Sequence, residues 1–329
     1  MDSKHMNYQT LDKKAIIKGL DNLGNTCYMN SSIQALHAIP ELRQHISQIN
    51  CNKPLHLSFK KLFHELDSMT DETSVDPTNF WQTFAEFNSE FQDKEQHDAQ
   101  EFLRYLINGL HDEINTVQAK PKTQTDKQIN SNKAWDYYNK YVDNSYLVDL
   151  FVGQFKSTVR CDYCKHESCC YETFWDLSIS IPEVDHQITI VECLRYYFTD
   201  EQLTGDSMPT CDTCAARRSS TKLLAFRRTP KILVIQLKRF LNDGKKISRL
   251  VTIETQITID GLDYSIFALI THKGHTCLKG HYVCYCKVDD QWYTYDDEEI
   301  HKKFEMHWDD IPGSYILFYR QIPGPSHPI

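Results

Sequence analysis

Two C-x-x-C pairs, Cys161/Cys164 and Cys211/Cys214, constrain this chain more than any other feature. Paired cysteines at this spacing suit a tetrahedral Zn²⁺ site built from two knuckles. Four thiolates leave no open coordination position, so such a site is structural and not catalytic. The chain has twelve cysteines, but its N-terminus, MDSKHMNYQTLDKKAIIKGL, lacks the apolar core of a secretory signal. A reducing, intracellular location, cytoplasmic or nuclear, is therefore expected, and metal ligation is favoured over disulfides. His166, Cys169 and Cys170 stand nearby as bystanders or substitute ligands.

At 329 residues and 40% hydrophobic, the chain can bury a real core in one large domain or two ordinary ones. Lys plus Arg is 36 against 45 Asp plus Glu, a net charge of −9. An acidic chain is a poor binder of phosphate backbones and carries no polybasic membrane anchor. No segment approaches the roughly 18 consecutive apolar residues of a membrane span. Nucleic acid and membrane partners are thus not expected, and a monomer is favoured.

Residues 1–18 read as an N-terminal tail, 19–322 as the folded domain and 323–329 as a C-terminal tail. In GLDNLGNTCYMNSSIQALHAIPEL, Gly24 and Asn25 break any preceding element, and Asn25 or Thr26 can N-cap a helix starting at Cys27. Met29, Ile33 and Leu36 then mark one face of that helix, which ends by Pro40. Residues 55–66 and 79–91 carry further helical spacing. In HDAQEFLRYLINGLHDEI, Phe102, Leu103, Leu106, Ile107, Leu110 and Ile114 form a stripe, with Asp98 and Glu101 at the dipole's positive end. Residues 116–133 read as a loop. From about residue 146 the pattern turns to strands: 231–240, 281–288, 291–295 and 314–319, with Asp289-Asp290 as a hairpin turn. Helices first and a largely antiparallel sheet afterwards make an α+β chain.

Cys27 falls in the first turn of its helix, where unpaired N–H groups and the dipole favour a thiolate. A nucleophile and a buried core thiol both remain open there. His281 follows Gly280 and opens a strand. Asp296-Asp297 comes after the next strand, so antiparallel pairing would bring His281 and Asp296 together and let the carboxylate orient the imidazole. A surface histidine beside a solvated acidic turn is the competing reading. Asn22 can offer its amide to an oxyanion beside the Cys27 N–H, or serve as an ordinary turn residue. Cys277, Cys284 and Cys286 flank the His281 strand and read as packing residues.

Taken together, the motifs resemble the catalytic domain of the ubiquitin-specific proteases, papain-like cysteine peptidases. GLDNLGNTCYMNSSIQAL is similar to that family's Cys box, EQHDAQEFL to its QQDAQEF helix motif, and LVIQLKRF to the strand before its blocking loop. ITHKGHTCLKGHYVCYCKVDDQWYTYDDEEI is similar to its His box and SYILFYR to its closing strand, all in family order over residues 19–320. His97 stands where the family commonly has Gln.

The resemblance implies a palm-thumb-fingers architecture. The helical thumb would carry Cys27 and the palm His281 and Asp296. Zinc on Cys161, Cys164, Cys211 and Cys214 would pin antiparallel fingers inserted over roughly 155–230. It also implies Asn22 as the oxyanion residue, Asp297 as an auxiliary acid, and Asp98 and Glu101 facing the arginine-bearing tail of ubiquitin. The implied activity is thiol-dependent hydrolysis at ubiquitin's C-terminal glycine, with ubiquitin and ubiquitinated proteins as partners. The alternatives are a peptidase for another ubiquitin-like modifier and a non-catalytic ubiquitin-binding scaffold.

Overall fold

The computed structural model describes residues 17–118, 130–241, 244–276, 279–309 and 311–323. Five helices come first: α1 (Cys27–His37), α2 (Pro40–Gln48), α3 (Pro54–Leu66), α4 (Thr78–Phe87) and α5 (Ala99–Ile114). Pro40 and Pro54 each open a helix at a position whose N–H would have no partner anyway. Pro40 therefore closes the first helical run and begins the second.

α1 departs from a simple amphipathic stripe. Met29, Ile33 and Leu36 are buried as their spacing requires, but so are Asn30, Ser31, Ser32 and Gln34. The helix packs against α5 on one side and the main sheet on the other, so it has almost no solvent face. Most of its buried polar groups find partners: Ser32 Oγ donates to Tyr28 O at 2.8 Å and Gln34 Nε2 to Lys18 O at 2.9 Å, while Asn30 Oδ1 has none. Lys18, at the end of the segment read as a tail, is itself buried and donates to Ser68 Oγ at 3.0 Å. Residues 1–16 and 324–329 lie outside the described residues.

Most of the expected 116–133 loop also lies outside them, at 119–129. Its last residues are helical: Ser131–Tyr141 is a helix whose Asn130 cap accepts from Lys133 N at 2.9 Å. The short polar cap explains why so few apolar side chains announce that start.

The main sheet runs Glu299–Lys303, Gln291–Asp296, Lys279–Val288, Leu262–Thr276, Ser314–Gln321, Ile232–Leu237, Leu177–Ile179, with Gln256–Ile259 added beside Leu262–Thr276. Its ladders are antiparallel except the last, Leu177–Ile179 with Ile232–Leu237, which a long connection makes possible. Neighbouring residues alternate between two cores: Ile316 and Phe318 join the helical cluster, Leu317 and Tyr319 the cluster on the opposite face. Burial on both faces is why SYILFY reads as one continuous apolar run. Asp289 and Asp290 form the expected two-residue turn, both with positive φ (46° and 60°), the geometry of a type I′ hairpin.

A second, four-stranded antiparallel sheet runs Glu167–Phe174, Gly153–Cys161, Ser220–Arg228, Glu201–Leu203. Cys161 ends one of its long strands, and the second C-x-x-C pair is carried by a separate two-stranded sheet, Thr210–Cys211 with Ala216–Arg217. Among the described residues no helix is long and apolar enough to cross a membrane.

Candidate active site

Cys27 is the first residue of α1 and is almost fully buried. The turn before it is built from Gly24 (φ 98°) and Asn25 (φ 56°), both left-handed. Thr26 is the N-cap by position, yet its side chain does not cap the helix; Oγ1 instead accepts from Leu23 N at 3.0 Å, closing the turn. Asn25 ties the same turn to Lys94 O at 2.8 Å.

His281 reaches this helix start from the strand Lys279–Val288. Its ring faces Cys27, and Nε2 is hydrogen-bonded to Asp296 Oδ1. The Cys27 thiol beside it is the largest influence raising the imidazole pKa, burial opposes this and Asp296 adds to the rise, which reaches about 9. Burial alone would raise Asp296, but His281 and Lys273, whose Nζ lies 3.6 Å from Oδ2, bring it below the usual carboxylate range. The register pairs Cys284 with Tyr295, so His281 and Asp296 are diagonal neighbours on one face and not direct cross-strand partners.

Asn22 Nδ2 donates to Asp297 Oδ2 at 2.6 Å, while its Oδ1 accepts from Gly24 N at 2.9 Å. These bonds orient the amide with Nδ2 towards the Asp297 turn. Asp297 has φ 52°, which a short polar side chain tolerates, and its other oxygen accepts from Asn30 Nδ2 at 2.8 Å. Burial raises its pKa and the two amides counter that. Asn30 also donates to Leu20 O and Asp21 O, so one buried amide joins α1, the Asn22 loop and the Asp297 turn. Sequence reasoning passed over Asn30; the signal was a polar residue between Met29 and Ile33 on a helix otherwise bound for the core.

The pair Asp98 and Glu101 separates. Asp98 Oδ1 caps α5 by accepting from Gln100 N at 2.7 Å and Glu101 N at 3.3 Å, and Oδ2 accepts from Tyr315 at 2.6 Å. Glu101 is exposed, and partial burial with like charge from Asp98 and Glu90 raises its pKa. His272, a neighbour of His281 on the adjacent strand, is buried, and burial with nearby Lys246 lowers its pKa to about 4. A ring held neutral with Lys246 Nζ 3.1 Å from Nδ1 is no rival for the base. Of the three packing cysteines, Cys284 and Cys286 are buried; Cys277 lies outside the described residues.

The sequence model of the ubiquitin carboxyl-terminal hydrolase family matches residues 18–319. The chain belongs to that family. It is 34% identical to ubiquitin carboxyl-terminal hydrolase 2 of Bos taurus over 341 residues, covering 94% of this chain and 56% of that protein. The Gallus gallus protein of the same name is also 34% identical, with 94% of both chains covered. The chain thus spans about half the length of the bovine relative. Among solved structures it resembles a SAGA DUB module containing Ubp8 bound to ubiquitin aldehyde (TM-score 0.76, 22% identity, 95% of this chain and 71% of that one). A second, bound to monoubiquitin, gives TM-score 0.77 at 25% identity, with the same coverage.

As a family member the chain also gathers its paired cysteines. The sulfurs of Cys161, Cys164, Cys211 and Cys214 all lie within 4.8 Å of one another, Cys164 and Cys211 at 3.5 Å. The two knuckles are copies. In each, the first cysteine's carbonyl accepts from the residue after the second, Lys165 N at 2.9 Å and Ala215 N at 2.8 Å. Both of those residues have left-handed φ, 62° and 52°. Amides of Cys164 and Tyr163 aim at Cys161 and lower its pKa against burial, while hydrogen bonding among the crowded thiols, Cys164 foremost, raises that of Cys214. The donor set therefore fits a tetrahedral thiophilic ion. His166, Cys169 and Cys170 are not part of the cluster.

Proposed function

We propose that this chain is a thiol-dependent deubiquitinase, cleaving the peptide or isopeptide bond at ubiquitin's C-terminal glycine. The observation that carries this reading is Cys27 at a helix start with the His281 ring beside it, that ring being hydrogen-bonded to Asp296. Family membership and the monoubiquitin-bound neighbour support ubiquitin as the substrate.

Cys27 Sγ attacks the glycine carbonyl and His281 takes up the thiol proton. Asp296 holds the ring in place and favours its charged form. The oxyanion meets the Cys27 N–H, which has no intrahelical partner, and the Asn22 Nδ2 proton not engaged with Asp297. His281 then protonates the leaving lysine amine, and water cleaves the thioester. Ubiquitin carrying a C-terminal electrophile should form one covalent adduct per chain, on Cys27. Labelling by a different modifier's probe in preference to ubiquitin's would redirect the substrate assignment. Binding without any adduct would leave only a scaffold.

Glu101, exposed and uncommitted to a cap, is the carboxylate that meets an arginine of the ubiquitin tail; Asp98 serves the fold. Glu101→Gln should raise KM about tenfold, the effect of losing about 1.4 kcal/mol, with melting temperature little changed. Asp98→Ala should instead lower stability by about 1 kcal/mol through the lost cap. Equal effects on KM and melting from both variants would return Glu101 to a purely structural role.

The four clustered cysteines hold a structural zinc ion that pins the fingers. It takes no part in the chemistry; the knuckle thiolates only fix the sheet end. Purified protein should contain one zinc per chain, and Cys211→Ser should release it. We expect that variant to raise KM more than it lowers kcat, because His281 and Asp296 stand on the other sheet. Metal analysis with steady-state kinetics decides this, and a fully active, zinc-free wild type would defeat it.

A further inference from the structure

His281 sits where its strand is poorly held. Pairing with Gln291–Asp296 covers only Cys284–Val288, so Gly280 and His281 lie beyond the end of that ladder. On the other edge, the ladder with Leu262–Thr276 shifts register just beyond the Lys273–His281 pair. The strand should fray at the residue whose position matters most.

Gln96 supplies what the sheet does not. Its Nε2 donates to Gly280 O at 2.9 Å and its Oε1 accepts from Gly280 N at 2.8 Å. One side-chain amide thus pairs with both main-chain groups of the residue before His281, as a neighbouring strand would. The opposite side of Gly280 is filled: a Cβ there would run into His272 Nε2 and lie 2.7 Å from Lys273 O. Gly280 is gripped between the His272 ring and the Gln96 amide, and only glycine fits.

Gln96 is also tied to the nucleophile. The segment leading to it is bonded to the Cys27 turn through Asn25 Nδ2 to Lys94 O at 2.8 Å. The His97 ring lies edge-on to Tyr28, with centroids 5.2 Å apart. A short chain of contacts therefore runs from the Cys27 turn through Gln96 to Gly280 and His281, joining the helices to the sheet.

We propose that Gln96 is a positioning residue: it fixes the placement of His281 against Cys27 by acting as the missing strand partner of Gly280. This rests on the thiol–imidazole reading above, and its test is chosen to stand apart from ubiquitin. Cys27 alkylation by iodoacetamide, followed on the Cys27 peptide by mass spectrometry, reports the thiol–imidazole pair with no ubiquitin present.

Gln96→Leu should slow Cys27 alkylation at pH 7 by about tenfold or more, since small misplacements cost this much. kcat should fall in parallel, with KM for ubiquitin substrates unchanged. Gln96→Glu keeps the acceptor for Gly280 N–H but, when ionised, opposes Gly280 O with a second oxygen. Its rate relative to wild type should recover as pH falls from about 8 to 5 and the carboxyl gains a proton. Dividing by the wild-type rate at each pH cancels the shared titrations of His281, His272, Asp296, Asp98, Asp93 and His97. If Gln96→Leu does not fold, this acid recovery decides the matter. Unchanged alkylation in a folded Gln96→Leu, an effect confined to KM, or a flat Gln96→Glu ratio overturns the proposal. Should wild type fail to cleave ubiquitin while alkylation still responds to Gln96, the positioning role stands and the substrate assignment falls.

Discussion

Cys27→Ala will abolish both adduct formation and turnover while ubiquitin affinity is kept or modestly improved. Removing a nucleophile removes the covalent route altogether, so the expected loss is complete and not partial. The fold should tolerate it. Cys27 is buried at the first position of α1, where Ala is a good helix former and leaves a gap of one sulfur atom. His281 loses the neighbour that most raises its pKa, so its titration should move down towards the ordinary value, which NMR of the ring can follow. Cys284→Ala and Cys286→Ala are the controls: both thiols are buried on the strand behind His281, and neither should change the rate by more than a few-fold. Turnover surviving in Cys27→Ala, or lost as deeply in a folded Cys286→Ala, would mean that the nucleophile is a different thiol.

His281→Ala should cost about 10²–10⁴-fold in kcat/KM, the usual span for a positioned general base. Asp296→Asn should be milder, because an amide still accepts from the ring but brings no charge. His272→Ala, which removes a neutral packing ring, should act on stability more than on chemistry. A pH dependence accompanies these rates. His281 binds its proton more tightly folded (pKa about 9) than unfolded (about 6.5), so it contributes stability that is full below 6.5 and lost as pH rises through 9. The wild-type advantage over His281→Ala in urea midpoint should therefore be larger at pH 6 than at pH 9.5. Asp296 acts in the opposite direction, its contribution disappearing only in acid as the pH falls through its depressed pKa. An advantage that grew with pH would show the ring to be held neutral and would remove its role as proton carrier.

Local chemistry is what a sequence states most directly, and here it covered a good deal. A Gly-Asn turn just before a helical run announces a thiol at a helix start, because left-handed φ at Gly24 and Asn25 is a local requirement. Asp289-Asp290 is likewise local, since a two-residue hairpin demands positive φ at both positions. The spacing of each C-x-x-C pair is a property of one knuckle, and it was legible for the same reason. The α+β order came from periodicity, which each segment carries in itself.

Other features exist only once distant segments meet. No local signal tells that Asp98 bonds to Tyr315, and so is withdrawn from the pair it forms with Glu101 along the helix. None tells that α1 is buried on nearly every side, which makes Asn30 the amide that joins the Asn22 loop to Asp297. The diagonal placement of His281 and Asp296 depends on register, and register is set by which faces the cores bury. The sequence by itself determined which side chains have the chemistry: a thiol, an imidazole, carboxylates and paired cysteines at competent local positions. Tertiary structure alone decided which of them touch, because contacts across 184 residues, as between Gln96 and Gly280, arise from packing and leave no trace in the spacing of either segment.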